Sequence, residues 1–285
     1  MNSTLILPSP CKINLFLRIT GQRPDGYHEL QTLFQLLDYG DTLYFTKAHE
    51  ITVATPLPGI KQSANLIYKA AMALKEKTGY CHGAQIKIDK VLPMGGGLGG
   101  GSSNAATTLL ALNRLWSAGL TINQLAEIGL SLGADVPVFV HGRSAWGEGI
   151  GEQLTPVSLG PHWYLVIRPD CEINTGEIFS NKRLTRDSPK LTIAPALDGE
   201  IQNLGNDCEA IVAETYAEVA KGLNWLGQFG RARLTGTGAC IFADFQSKAA
   251  ALEVLRNCPE HWSGFVAQGI DRSSLHKELN LKDSP

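Results

Sequence analysis

The 285-residue chain has no cluster of basic residues; its 25 lysines and arginines are scattered among 27 acids, for a net charge of −2. A nucleic-acid or anionic-membrane surface is therefore not expected. No apolar run approaches the roughly 20 residues that span a bilayer, so no membrane partner is expected either. The opening MNSTLILPSPCKINLF lacks the basic start and long apolar stretch of a secretory leader. The six cysteines (Cys11, Cys81, Cys171, Cys208, Cys240 and Cys258) include no C-x-x-C pair, and the seven histidines show no H-E-x-x-H spacing. These absences argue against a disulfide frame and a structural zinc. They point to reduced, mostly buried thiols in a cytoplasmic protein. With 44% hydrophobic and 18% charged residues, the composition is that of a soluble globular protein with one large domain or two ordinary ones.

What is present is organised. CKINLFLRIT alternates, with Ile13, Leu15, Leu17 and Ile19 on one face and Lys12, Asn14, Phe16 and Arg18 on the other. That period predicts a strand with Lys12 and Asn14 on the same side. QRPDGYHEL reads as a turn and TLYFTK as a strand; Asn65 then caps an amphipathic helix that ends at Gly79. AQIKIDKVLP is a half-buried strand that feeds a glycine run, after which Ala105, Leu109, Leu112 and Trp116 stripe a long helix. A second helix starts near Thr121 and runs to LGADVPVFV, and SAWGEGIGEQLTPV reads as strands and turns.

Past Pro161 the texture restarts with the strand WYLVIRP and a helix start near Thr175. A polar stretch from Asn181 to Ile201 carries no motif. A long helix over 207–226, a strand pair split by TGTGA, a helix from Lys248 and the strand GFVAQGI complete the second half. The order predicts an α+β fold in two domains, 1–160 and 161–285.

The run GGGLGGG places six glycines in seven residues directly before a helix. A mere turn needs one or two. Gly95, Gly97 and Gly100 fit G-x-G-x-x-G, but the acidic residue that a dinucleotide site needs at the end of the next strand is missing; Glu127 lies in a predicted helix. A phosphate cradle fits better, because bare amides and the free N–H groups of a helix start converge on one anion. Each such dipole contact contributes only about 0.3–1 kcal/mol when exposed, so many must converge. No lysine follows the glycines, which excludes the Walker loop. Ser102 and Ser103 could each offer a hydroxyl to phosphate or metal, or simply cap the helix.

PMGGGLGGGSSNAA resembles the ATP loop of the GHMP kinase superfamily, which includes galactokinase, homoserine kinase and mevalonate kinase. PSPCKINLFL, LGADVPVFV and LTGTGACIFA stand, in order, where that superfamily carries its early lysine or serine, its aspartate and its late glycine loop. The longer stretch KINLFLRITGQRPDGYHELQTLFQLLDYGD, with NDCEAIV and RLTGTGACIF, is similar to the members acting on a cytidine diphosphate-linked polyol in the non-mevalonate isoprenoid pathway.

The resemblance implies an N-terminal ATP-binding domain, a ferredoxin-like C-terminal domain and a cleft between them. It implies ATP and Mg2+ as cofactors, and a cytidine diphosphate-bearing small molecule as the partner of a monomer or weak homodimer. ATP would lie on Pro93, Met94, Gly95, Gly96, Gly97, Leu98, Gly99, Gly100, Gly101, Ser102 and Ser103, with Asn65 on the adenine side or merely capping its helix. No acidic metal ligand stands out; Ser103 is the candidate contact.

Asp135 alone would read as a turn former; in this family it becomes the catalytic base, with Lys12 beside it. Phosphoryl transfer through a loose transition state asks little of that base. Tyr27 and His28 could be core filler at a turn. The resemblance makes them the cytosine grip, with Phe179 opposite and Thr175 and Asn14 as polar contacts. Gly236 and Gly238 would meet the substrate's phosphates, although a hairpin turn would also explain them. The nearest rival is another superfamily kinase, of homoserine or mevalonate type, and PDGYHEL argues against it.

Overall fold

The computed structural model describes residues 4–55, 59–193 and 203–281. The last part of the motif-free stretch, 194–201, therefore lies outside the described residues. A long hairpin organises the first half. Strand β1 (Leu5–Gln22) pairs antiparallel with β2 (His28–Ala48), from Leu5 opposite Phe45 to Gln22 opposite His28. The register shifts between Pro10 and Lys12 and again between Asn14 and Leu17, next to both predicted polar side chains.

The predicted alternation of β1 holds, but every residue from Ser9 to Leu17 is buried. The Lys12 and Asn14 face meets protein rather than water, at 2% and 3% exposure. β2 extends well beyond the expected strand TLYFTK. Leu30, Leu33, Phe34 and Leu37 follow a helical spacing, and a strand buried on both faces has no polar side to betray its period.

Short β3 (Thr52–Val53) and β4 (Gly83–Asp89) extend the sheet beyond β2, and β5 (Ala145–Glu148) and β6 (Gln153–Pro156) form a side hairpin on it. Four helices cover one face. They are α1 (Leu66–Thr78), capped by Asn65; α2 (Gly100–Leu115); α3 (Ile122–Leu132), with a Thr121–Gln124 capping box; and α4 (Val136–His141). The apolar run after Asp135 is thus a short helix, with Pro137 in its first turn where no hydrogen bond is lost.

The second half contains β7 (Trp163–Arg168), α5 (Thr175–Ser180), α6 (Glu209–Thr215), α7 (Ala217–Leu226), β8 (Arg233–Leu234), β9 (Ile241–Phe245), α8 (Lys248–Arg256) and β10 (Ser263–Ile270). The expected single helix over 207–226 is two helices, because Tyr216 is extended (φ −119°, ψ 96°). The strand order β10-β7-β9-β8 is antiparallel throughout. That is the split β-α-β arrangement of a ferredoxin-like layer.

β10 also pairs with β2, so one sheet runs through both halves. A last helix, α9 (Ser274–Glu278), returns to the first half, where Leu275 and Leu279 join the core under α2. The two glycine loops, 93–99 and 235–239, meet at the seam.

Candidate active site

The first loop leaves β4 through Lys90, Val91 and Leu92, which are anchored on Asp41. That fully buried carboxylate accepts from Val91 N and Leu92 N (2.8 Å each), Lys90 Nζ (2.7 Å) and Asn104 Nδ2 (3.1 Å). Both ends of the glycine run are thereby tied to one point. The run divides by task. Gly100 and Gly101 are the first turn of α2, while Gly95, Gly97 and Gly99 take positive φ. At Gly97 (φ +75°) a Cβ would lie 2.1 Å from Thr235 O, so this glycine lets the two loops touch. At Gly95 (φ +67°) a Cβ would point into open cleft.

Within the described residues, no hydrogen bond takes up the amides of Gly97, Leu98, Gly99, Gly100, Gly101 and Ser102. These are bare donors at the start of a 16-residue helix, the arrangement that favours an anion.

The two serines part company. Ser103 is 1% exposed; its hydroxyl donates to Pro10 O (2.6 Å) and meets Ser9 Oγ at 2.9 Å. The candidate metal contact is therefore turned into the protein, and Ser102 is the serine on the cleft. Asn65 caps α1 through Ile67 N (2.9 Å), which is the capping reading, and it also lines the cleft.

Lys12 stands at the centre. Its ammonium reaches Asn14 Oδ1 at 2.7 Å, Gly97 O at 3.1 Å and Asp135 Oδ2 at 3.2 Å. Three N–H groups thus have three acceptors, and one of those is the carboxylate. Asp135 sits at the N-cap of α4, yet its side chain caps nothing; it is 36% exposed and open to the cavity. The Asn14 side chain also donates through Nδ2 to Thr32 Oγ1 (2.8 Å), and its backbone N–H donates to Thr235 Oγ1 (3.0 Å). Asn206 supports the second loop by donating to Leu234 O (2.9 Å) and Gly236 O (2.7 Å), and Cys240 N donates to Gly96 O (3.2 Å).

Three cavities lie end to end. The first, about 420 Å³, runs along the glycine run past Asn65 and Lys90. The second, about 360 Å³, holds Lys12, Asn14, Asp135, Thr175, Gly236 and Gly238, and shares Gly95, Gly97 and Ser102 with the first. The third, about 520 Å³, holds Tyr27 and His28, and shares Thr175 and Phe179 with the second. Tyr27 is 61% exposed, an unusual position for a core filler. Phe179 stacks on His28 with centroids 5.1 Å apart and planes 28° apart.

All the residues singled out in the sequence border this trough except Ser103. Sequence reading missed four that shape it: Lys90, which precedes the glycines where a Walker lysine would follow; Asn206; the Thr175–Thr237 hydroxyl pair (2.8 Å), of which only Thr175 was named; and Arg186, which donates to His28 Nε2 at 3.1 Å. Burial, and second the Arg186 charge, lower the His28 pKa.

Among the described residues no helix is long and apolar enough to cross a membrane, and no group of three or more His, Cys, Asp or Glu could hold a metal ion. All six cysteines are free.

Residues 65–143 match the GHMP kinases N terminal domain, and residues 194–264 match the GHMP kinases C terminal domain. The 4-diphosphocytidyl-2-C-methyl-D-erythritol kinase of Hahella chejuensis is 58% identical over 98% of this chain and 97% of its own length. That of Marinobacter nauticus is 57% identical over 98% and 99%. A crystal structure of 4-(cytidine 5'-diphospho)-2C-methyl-D-erythritol kinase superposes with a TM-score of 0.81 at 28% identity, covering 93% of this chain and all of that one. The Methanococcus jannaschii mevalonate kinase, at TM-score 0.67 and 15% identity, shares the fold over 95% of this chain and 99% of its own. With a full-length likeness at this identity, the chain belongs to the 4-diphosphocytidyl-2-C-methyl-D-erythritol kinase family of the GHMP kinases.

Proposed function

We propose that the protein transfers the γ-phosphoryl group of ATP to the 2-hydroxyl of 4-diphosphocytidyl-2-C-methyl-D-erythritol, giving the 2-phosphate and ADP, in the cytoplasm. The observation that carries this reading is the continuity of the three cavities, with the Lys12–Asp135 pair in the middle one. A donor nucleotide fits one end, an acceptor nucleotide the other, and the reacting atoms meet between them. In this reading residues 1–160 hold the nucleotide triphosphate and residues 161–285 close the cleft from the other side.

ATP supplies the phosphoryl group, and Mg2+ neutralises phosphate charge. The residues present suit both. The bare amides from Gly97 to Ser102 face phosphate, and Gly95 keeps the cleft wall free of a side chain. Among the described residues Asp135 is the one carboxylate lining the first two cavities. Mg2+ would therefore rest on phosphate oxygens and water, with the Ser102 hydroxyl as its protein contact, as befits an ion that dehydrates reluctantly.

In the transfer, the 2-hydroxyl oxygen bonds to the γ-phosphorus as the bond to the β–γ bridging oxygen breaks. The hydroxyl proton passes to the Asp135 carboxylate. Asp135 orients the hydroxyl by accepting from it before the transfer and takes the proton late. Lys12, pinned by Asn14, Gly97 and Asp135 at the wall of the middle cavity, meets the charge spreading over the phosphoryl oxygens as a fixed positive charge. Tyr27 and Phe179 border the third cavity as stacking surfaces for cytosine; such stacking contributes about 1–3 kcal/mol per base. His28 meets the base edge, and Thr175, Gly236 and Gly238 meet the diphosphate.

ADP release with the cytidyl substrate, homoserine and mevalonate side by side tests the substrate; turnover of either of the last two, but not the first, overturns it. Asp135→Asn tests the base. A loss of about 10²–10⁴-fold in kcat is expected, with ATP binding retained. Near-normal turnover would remove Asp135 from that role.

A further inference from the structure

The stretch without a motif delivers one cation to the far end of the trough. Arg186 places its guanidinium on four acceptors: Nε on His28 Nε2 (3.1 Å), Nη1 on Leu184 O (3.1 Å), and Nη2 on Phe179 O (2.9 Å) and Asn181 O (2.9 Å). Arginine is a donor only and stays charged, so the histidine nitrogen it meets must present a lone pair. A neutral imidazole has one donor nitrogen and one acceptor nitrogen. With Nε2 as acceptor, the His28 proton sits on Nδ1. Within the described residues no protein group pairs with Nδ1, and the stacked Phe179 ring holds the imidazole plane.

The same guanidinium fixes the backbone of Phe179, so ring and stacking partner are set by one side chain. Imidazolium could not accept from Arg186, and the lowered His28 pKa agrees with a neutral ring.

We propose that Arg186 is a positioning residue for nucleobase selection: it locks His28 as the Nδ1–H tautomer, a fixed donor that accepts cytosine and turns away uracil. Cytosine presents N3 and O2 as acceptors beside its amino group, whereas uracil carries a hydrogen on N3. A locked N–H against N3 pairs with the first base and opposes the second. The free tautomer pair would meet either. This inference rests on the third cavity being the cytidine end.

The test uses the full chain with ¹⁵N-labelled histidine. Ring-nitrogen shifts of His28, assigned by difference from His28→Gln, read the tautomer without any ligand. The wild type is expected to show a protonated Nδ1 and a bare Nε2. In Arg186→Met the Nε2–H form becomes populated, and Arg186→Lys, which restores a cationic donor, recovers part of the lock.

In parallel, kcat/KM is measured for the cytidine diphosphate-linked substrate and its uridine diphosphate counterpart. The wild-type preference for cytosine should fall about 10-fold or more in Arg186→Met, through KM rather than kcat, the scale of one buried donor left unpaired. A wild-type ring protonated on Nε2, or an unchanged base preference in a folded Arg186→Met, overturns the proposal. If the wild type uses neither substrate, the assignment of the cavity has failed, and the ring shifts alone still decide whether Arg186 sets the tautomer.

Discussion

At the scale of single residues, the site works by using up hydrogen-bonding capacity in advance. Lys12 has three donors and three acceptors, so its position follows from Asn14, Gly97 and Asp135 rather than from a rotamer preference. Asp41, with four donors on two oxygens, does the same for the glycine run. His141 shows the opposite regime, where burial alone sets the state. His141, at the end of α4, has its pKa lowered from 6.5 by desolvation. Unfolded, it takes a proton near 6.5; folded, it resists until lower pH. Between those two values the unfolded chain binds more protons, so stability rises with pH. The contribution is complete above about 6.5 and is lost as pH falls through the folded value. Denaturant unfolding of wild type and His141→Gln between pH 5 and 8 should show a shallower acid loss in the variant. Equal slopes would mean that His141 is not the group responsible.

At the scale of elements, local signals were readable and non-local ones were not. The Asn65 cap, the left-handed Gly79 that ends α1, and the Thr121–Gln124 capping box involve neighbours in sequence. The strand β2 was hidden because both its faces are buried, and Arg186 because its partner lies 158 residues away. The glycine run was legible as a cradle, but its internal division of labour was not, since that depends on Thr235 in the other half. Two of the three positive-φ glycines, Gly95 and Gly97, make this testable. Gly95→Ala and Gly97→Ala both force a side chain into the left-handed region, at about 1–2 kcal/mol. Only the second drives a methyl group against Thr235 O. Gly97→Ala should therefore lower Tm clearly more than Gly95→Ala. Gly95→Ala, whose methyl enters the open cleft, should raise the KM for ATP with little further loss of stability. Equal Tm values would show that the loops part easily and that their contact matters little.

At the scale of the whole molecule, β10 bonded to both β2 and β7, and α9 folded back under α2, make the seam part of one sheet and one packed body. The cysteines report on that seam. Cys11, Cys208 and Cys240 are buried, and burial pushes the last two thiols up to about 12. At pH 7 such a thiol is thiolate at a level on the order of 10⁻⁵, and it is the thiolate that reacts. Cys171 and Cys258 are half-buried with raised pKa values, again chiefly through desolvation, and Cys81 is exposed. A thiol reagent should therefore label Cys81 first and Cys171 and Cys258 more slowly. The other three should react only at the rate at which the chain opens. Cys240 is the informative one, because its amide bonds to Gly96 O across the two glycine loops, and its sulfur lies where a Gly96 side chain would be. If the halves separate on their own, Cys240 will react ahead of Cys208, which sits inside the second-half core. If the shared sheet holds them as one, both will wait for global unfolding and react together, with a rate that falls in step with added stability. Labelling kinetics followed by mass spectrometry at each cysteine separates the two outcomes; the continuous ladder through β2 and β10 predicts the second.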